Sequence, residues 1–171
     1  MTSSLDKPQT FNGDLYKLPS ALNELQSKPN WVLWKWQKDK KGNWKKPPFQ
    51  PNGSMAKTNE PTTWSSYSDV MDAYASGKFD GIGFTLLGSN IGAYALDKCR
   101  DPNTEVINDD AKELIEKIGS YQEVSPSGTG IRIIGTAIGR DINTKNGRVE
   151  IYRNTKRYIT VTEVDPIVRT I

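Results

Sequence analysis

Apolar and polar positions along the chain change period several times, and each change marks an element. Pro19-Ser20 followed by Ala21, Leu22 and Leu25 predicts a short helix ending near Lys28-Pro29. Trp31 to Trp36 is aromatic and β-branched and predicts a strand, with a turn at Lys40–Asn43 and a return strand over Trp44–Lys46. Pro47, Pro48 and Pro51 offer no N–H, so residues 47–53 predict an extended surface segment closing in a turn rather than an inner strand. Trp64, Tyr67, Met71 and Tyr74 recur at helical spacing, and Gly77 stands where a left-handed cap would close that helix. Ile82–Leu87 and Ile91–Asp97 read as strands joined at Gly88-Ser89-Asn90. Asn108 caps the clearest helix, with Asp109 and Asp110 in its first turn, Ala111, Leu114, Ile115 and Ile118 on its apolar face, and Gly119 at its end. Tyr121–Val124, Ile131–Ile138, Arg148–Tyr152 and Tyr158–Thr162 add four more strands. Residues 1–16 are polar and without period and read as a flexible leader, leaving residues 17–171 as one domain. Helices and strands are interspersed without strict βαβ alternation, so the expected class is α+β with a mixed or antiparallel sheet.

Composition narrows the chemistry. With no histidine among 171 residues, Ser-His-Asp and Cys-His nucleophile systems and His-based zinc sites are excluded. A single cysteine, Cys99, excludes an internal disulfide and a cysteine zinc cluster. No apolar run approaches the ~20 residues of a membrane span, and MTSSLDKPQT holds no signal-peptide core, so a soluble, cytoplasmic protein without a membrane partner is expected. A net charge of +3 conceals blocks: seven lysines against Asp39 between Lys35 and Lys57, and six cations against Asp141 and Glu150 between Arg140 and Arg157.

Four segments carry residues able to do chemistry. In the strand Gly92–Cys99, positions 95 and 97 share a face, which places the carboxylate of Asp97 at the end of an apolar strand. An acid there is either solvated or paired, or it ligates a metal. Ser125–Arg132 holds two glycines and several hydroxyls before a strand, a composition that lets backbone N–H groups converge on an anion and that also suits an ordinary turn. Along Arg148–Tyr158, Glu150 and Tyr152 share one face, and Arg153, Lys156 and Arg157 crowd the following connection. Between Trp31 and Phe49, lysines interleave with four tryptophans. That combination fits core packing, or bases stacking while lysines meet phosphates.

Taken in order, these segments resemble the archaeo-eukaryotic primase superfamily. The resemblance is to the primase–polymerase-like domains at the N-termini of plasmid, phage and mobile-element replication proteins. It rests on Trp31-Val-Leu-Trp, Lys46-Pro-Pro-Phe, Thr63-Trp-Ser-Ser-Tyr, Asp80-Gly-Ile-Gly-Phe, Leu96-Asp97-x-Cys99, Ser125-Pro-Ser-Gly-Thr-Gly, Val149-Glu-Ile-Tyr and Arg157-Tyr-Ile-Thr-Val-Thr, in register from about Leu18 to Thr162. It implies a two-lobed primase-like fold around a cleft, one lobe an RRM-like sheet, and template-directed nucleotidyl transfer using two Mg2+ or Mn2+ ions and nucleoside triphosphates. The implied partners are a single-stranded DNA template, a primer and a helicase region in a longer chain. Family metal ligands match Asp97 and Glu150, while the first acid of the Asp-x-Asp pair falls on Ala95. The family's nucleotide-binding motif matches Ser127, Gly128, Thr129 and Gly130, with Arg132 where a histidine is usual. Arg157 and Tyr158 match a phosphate contact and a residue beside the sugar, the latter a gate against a 2′-hydroxyl.

Alanine cannot ligate metal, so polymerisation by this chain is expected to be weak or absent, and Ala95→Asp to restore it. The persistence of Asp97, Glu150 and the Ser127–Gly130 loop favours an introduced substitution over natural decay. The competing reading is a catalytically inactive nucleic-acid-binding module of a replication initiator.

Overall fold

The computed structural model describes residues 6–167. In chain order the elements begin with α1 (Asn23–Gln26), entered through a 3-10 turn, and β1 (Trp31–Trp34). There follow β2 (Gln37–Lys38), β3 (Trp44–Lys45), β4 (Pro48–Phe49) and α2 (Tyr67–Tyr74). Next come β5 (Gly81–Thr85), β6 (Ile91–Leu96) and α3 (Asp109–Ile118). The chain then adds β7 (Tyr121–Val124), β8 (Ile131–Thr136), β9 (Ile142–Asn146), β10 (Val149–Arg153) and β11 (Tyr158–Val161). The architecture is α+β, and the paired strands form antiparallel sheets. One sheet runs β11-β5-β1-β4, a second β7-β8-β6-β10-β9, and β2 with β3 makes a separate hairpin.

Two buried clusters hold the sheets in place. The first joins Trp31, Leu33, Ile82, Phe84 and Ile159 of the four-stranded sheet to Ala93, Ala95, Ile134 and Tyr152 of the five-stranded one. The second fills the space between α3 and the other face of the five-stranded sheet with Leu96, Ile131, Ile133, Val124, Ala111 and Ile115. Alternation explains the division: along β6, Ala93 and Ala95 go to one cluster and Leu96 to the other. Helix α3 forms as its caps predict, with Asn108 Oδ1 accepting from Ala111 N at 2.9 Å and Gly119 left-handed at φ +64°.

Gly81 and Gly83 of β5 are required by close approach. A Cβ on Gly81 would run into the Trp34 indole, and one on Gly83 into the Tyr158 ring. Both rings therefore lie flat across the sheet, and the Tyr158 hydroxyl reaches past β5 to donate to the Lys46 carbonyl.

The structure refines four expectations. Ile82–Leu87 and Ile91–Asp97 are consecutive strands but not a hairpin, because β5 and β6 lie in different sheets. Pro48–Phe49 does join a sheet, at its edge beside β1, where proline's missing N–H costs little. The second helix starts at Tyr67, capped by Ser66, so Trp64 stands outside it. An unforeseen strand, β9, pairs with β10 across a turn whose Gly147 has φ +62°.

Of the leader, residues 1–5 lie outside the described residues. The rest of it is docked. Phe11 N donates to Pro126 O at 2.8 Å, Gly13 N to Thr162 O at 2.7 Å, Asn12 Nδ2 to Asp80 O at 2.7 Å, and Leu15 is buried. The closing residues 168–171 also lie outside the described range.

Candidate functional site

The register of the five-stranded sheet sets out a row of side chains. Glu123 of β7 stands opposite Arg132 of β8, Arg132 opposite Ala95 of β6, Ala95 opposite Glu150 of β10, and Glu150 opposite Lys145 of β9. Directly opposed residues of antiparallel strands share a face. The ladder continues one step past β6, where Asp97 N donates to Arg148 O at 2.8 Å, so Asp97 follows Ala95 on that same face. Asp97 and Glu150 are therefore diagonal neighbours on adjacent strands, with α-carbons about 7–8 Å apart.

Both carboxylates already have cationic company. Arg132 Nη1 lies 3.5 Å from Asp97 Oδ1, and Lys145 Nζ lies 3.0 Å from Glu150 Oε1. The Tyr152 hydroxyl donates to Glu150 Oε2. Among the described residues, no three His, Cys, Asp or Glu side chains gather where they would hold a metal ion.

A cleft of about 250 Å³ opens beside this row. Ala95, Arg132, Glu150 and Tyr152 form one wall, and Tyr158, Ile159 and Thr160 of β11, with Arg157 and Lys46, form the other. The Lys46 ammonium stands 4.7 Å from the centre of the Trp36 ring, and Arg157 packs over Tyr152 at 5.4 Å. Burial and, secondarily, the neighbouring Arg132 charge bring the Lys46 ammonium down to about 8, against a smaller opposing pull from Asp97. Burial raises the Tyr158 phenol well above its ordinary value. Two buried polar atoms on the walls, Arg132 Nη1 and Thr160 Oγ1, make no hydrogen bond, although Thr160 is only 4% exposed.

The Ser125–Gly130 loop is built differently. Gly128 N donates to Ser125 O at 2.9 Å, Thr129 N to Ser127 Oγ at 3.3 Å and Gly130 N to Ser125 Oγ at 3.0 Å. The hydroxyls of Ser125, Ser127 and Thr129 link to one another at 3.1 and 2.8 Å. Arg100 Nη1 holds Gly128 O at 3.0 Å, and the Phe11 ring packs against Gly128. These N–H groups close the loop on itself, and none of Ser127, Gly128, Thr129 or Gly130 is among the cleft-lining residues. Gly130 matters by another route. Arg132 Nη1 and Leu96 O pass close to its α-carbon, at 3.3 and 2.7 Å from where a Cβ would stand.

Of the residues picked out in the sequence, the cleft brings together Ala95, Glu150, Arg132, Arg157 and Tyr158. It holds Asp97 at its margin through Arg132, and leaves the loop outside. Lys46 and Thr160 went unassigned, although each lies inside a quoted motif. Glu123 also went unassigned. It is buried and accepts from Tyr121 Oη at 2.8 Å, Thr162 N at 2.8 Å and Glu163 N at 3.1 Å, tying the end of β11 to β7.

No protein-family model matches the chain. The chain is homologous to part of the DNA primase-polymerase of Nitratiruptor phage NrS-1, with 30% identity over 150 residues. The match covers 83% of this chain and 20% of that protein, so the chain spans about a fifth of its relative's length. Among the described residues, no helix is long and apolar enough to cross a membrane.

Proposed function

We propose, from this homology to a phage DNA primase-polymerase, that the chain is a primase–polymerase-type domain of a replication protein from a phage, plasmid or other mobile element. The described residues 6–167, the docked N-terminal segment included, belong to that domain, the two sheets being the lobes of a primase-like fold and the five-stranded sheet the RRM-like lobe. The cleft takes a nucleoside triphosphate against Arg132 and Arg157, with Tyr158 beside the sugar. The lysines of residues 35–57 and the cations of residues 140–157 receive a single-stranded DNA template and primer. A helicase region elsewhere in a longer protein is the partner this reading pairs with it.

One observation carries the reading: Ala95, Arg132 and Glu150 stand together on one face beside an open cleft, with Asp97 ion-paired to Arg132 at its margin. Two divalent ions, where a site holds them, clamp the attacking and leaving oxygens of nucleotidyl transfer, and Mg2+ or Mn2+ takes hard carboxylate oxygens. Asp97 and Glu150 are of that chemistry. Ala95 is not, and Arg132 and Lys145 already neutralise the two acids. The residues present do not fit a two-metal clamp, so polymerisation by the chain as it stands is weak or absent.

The test is primer extension with Mn2+ by wild type, Ala95→Asp, and Ala95→Asp combined with Arg132→His. The carboxylate introduced by Ala95→Asp alone would face Arg132 across the strand pair and bind its guanidinium, so the single variant recovers little. The double variant is expected to exceed wild type by about 10³-fold or more. Full-rate extension by wild type overturns the expected inactivity, and a double variant that still fails to extend counts against the catalytic-domain reading. The second outcome leaves the inactive nucleic-acid-binding module, which the Arg132–Asp97 pair favours.

A further inference from the structure

A site built for a metal-bound triphosphate normally presents uncommitted acids. The cleft wall here is mostly cationic instead. Lys46, Arg132 and Arg157 line it against one acid, Glu150, which has Lys145 and Tyr152 as partners. Ala95 contributes only a methyl group at the centre of the row, and it lines the cleft between Arg132 and Glu150. Thr160, buried on the facing wall, has a hydroxyl without a hydrogen bond, and Arg132 Nη1 has no hydrogen bond beyond its 3.5 Å ion pair with Asp97. Buried polar groups are almost always satisfied in a native protein, so the Thr160 hydroxyl implies a missing partner on this cleft. Cationic walls make that partner an anion, and a guanidinium with a hydroxyl beside it suits phosphate oxygens.

We propose that Arg132 stands in for the cation of this site, and that the cleft binds the phosphate groups of a nucleotide directly, without a divalent metal. The inference rests on the nucleotide-handling reading above and departs from it on what neutralises the phosphates. Asp97 then acts as a positioning residue that holds the guanidinium in place from the side. Gly130 leaves room for Arg132 to pass.

Calorimetry with inorganic tripolyphosphate, a deoxynucleoside triphosphate and a short single-stranded oligonucleotide tests this, each in EDTA and again with Mg2+ or Mn2+. Wild type is expected to bind a triphosphate in EDTA within about threefold of its affinity with metal. Arg132→Gln should weaken that binding about tenfold or more, as losing a charge-assisted hydrogen bond does. Thr160→Val removes the unpartnered hydroxyl while keeping the side-chain shape and should weaken it about threefold, which preserves the test if Arg132→Gln misfolds. Asp97→Asn should weaken binding less than Arg132→Gln and leave it metal-independent, whereas a metal ligand would not behave so. Metal-free binding of the oligonucleotide alone, lost in Arg132→Gln, also supports the inference and assigns the phosphates to a strand. Binding that disappears in EDTA overturns the inference while the proposed function stands. Failure to bind any of the three probes under either condition overturns both.

Discussion

The Ser125–Gly130 loop and the cleft beside Ala95 lie within a few residues of each other along β8, yet they treat their polar groups in opposite ways. The loop has the composition of an anion cradle, but its N–H groups and hydroxyls are bonded inside it. The cleft has no Gly-rich signature, and it leaves Thr160 Oγ1 without a hydrogen bond and Arg132 Nη1 with only a 3.5 Å ion pair to Asp97. A buried donor that lacks an acceptor is costly, whereas a closed hydrogen-bond ring is structural. The comparison favours the cleft, where satisfaction is incomplete, over the loop, where the motif is richest, as the ligand site proposed above. Gly128 and Gly130 then serve packing: Gly128 has φ +77° under the Phe11 ring, and Gly130 lets Arg132 and Leu96 O approach.

The largest effect expected lies at the closed end of the same cross-strand row. Glu123 stands opposite Arg132 but gives its oxygens to Tyr121, Thr162 and Glu163. Burial pushes its carboxyl up to about 7 from 4.5, in spite of those donors and Arg132. Between these pH values the folded chain keeps a proton that the unfolded chain has released, so stability falls as pH rises through the window and levels off above it. Taken alone, Glu123 should make the protein roughly 3 kcal/mol less stable at pH 8 than at pH 4.5. Urea unfolding of wild type and Glu123→Gln across that range isolates this slope, which the variant should lack. Parallel pH profiles for the two proteins would mean that Glu123 is ionised throughout.

Gly130 joins the two regions and provides the next test. A methyl group there meets Leu96 O and the Arg132 guanidinium, so Gly130→Ala should cost about 2 kcal/mol and displace Arg132. Stability is measured by urea unfolding, and triphosphate binding should fall with it. A variant that unfolds earlier yet binds as wild type would separate Gly130 from the cleft and weaken its role in admitting Arg132.

What the sequence reveals follows how local each cause is. Helix α3 is legible to its ends because Asn108, the Ala111–Ile118 stripe and Gly119 act within a few residues of one another. The shared face of residues 95 and 97 follows from strand period alone. That Glu150 and Arg132 flank Ala95 depends on register between strands far apart in sequence, which no local pattern carries. The same non-locality hides the assignment of β5 and β6 to different sheets. Strand β9 escapes notice because Asn143 to Asn146 are exposed on both faces and show no apolar alternation, although Asn146-Gly147 carries a hairpin signal. The loop misleads for a different reason. Serine and threonine hydroxyls that could greet an anion can equally satisfy the backbone around them, and composition does not choose between the two.

A pH titration of binding sharpens the cleft side of the comparison. Lys46, held down to about 8 chiefly by burial, is charged below that value and neutral above it. Affinity for tripolyphosphate in EDTA should therefore fall between pH 7 and pH 9 relative to Lys46→Arg, by roughly fivefold if Lys46 contributes an ordinary ion-pair increment. Identical titrations for the two proteins would remove Lys46 from the binding wall.

The smallest effect belongs to the loop, and its smallness is the point. Ser127 Oγ bonds Ser125 Oγ, Thr129 Oγ1 and Thr129 N, all inside the turn. Ser127→Ala should therefore cost about 1 kcal/mol of stability, the net worth of such hydrogen bonds. It should leave triphosphate affinity within about twofold of wild type, where Arg132→Gln loses tenfold or more. If Ser127→Ala instead abolished binding while thermal unfolding stayed near wild type, the loop would have to open toward the ligand. The contrast between a closed loop and an open cleft would then hold only for the unliganded chain.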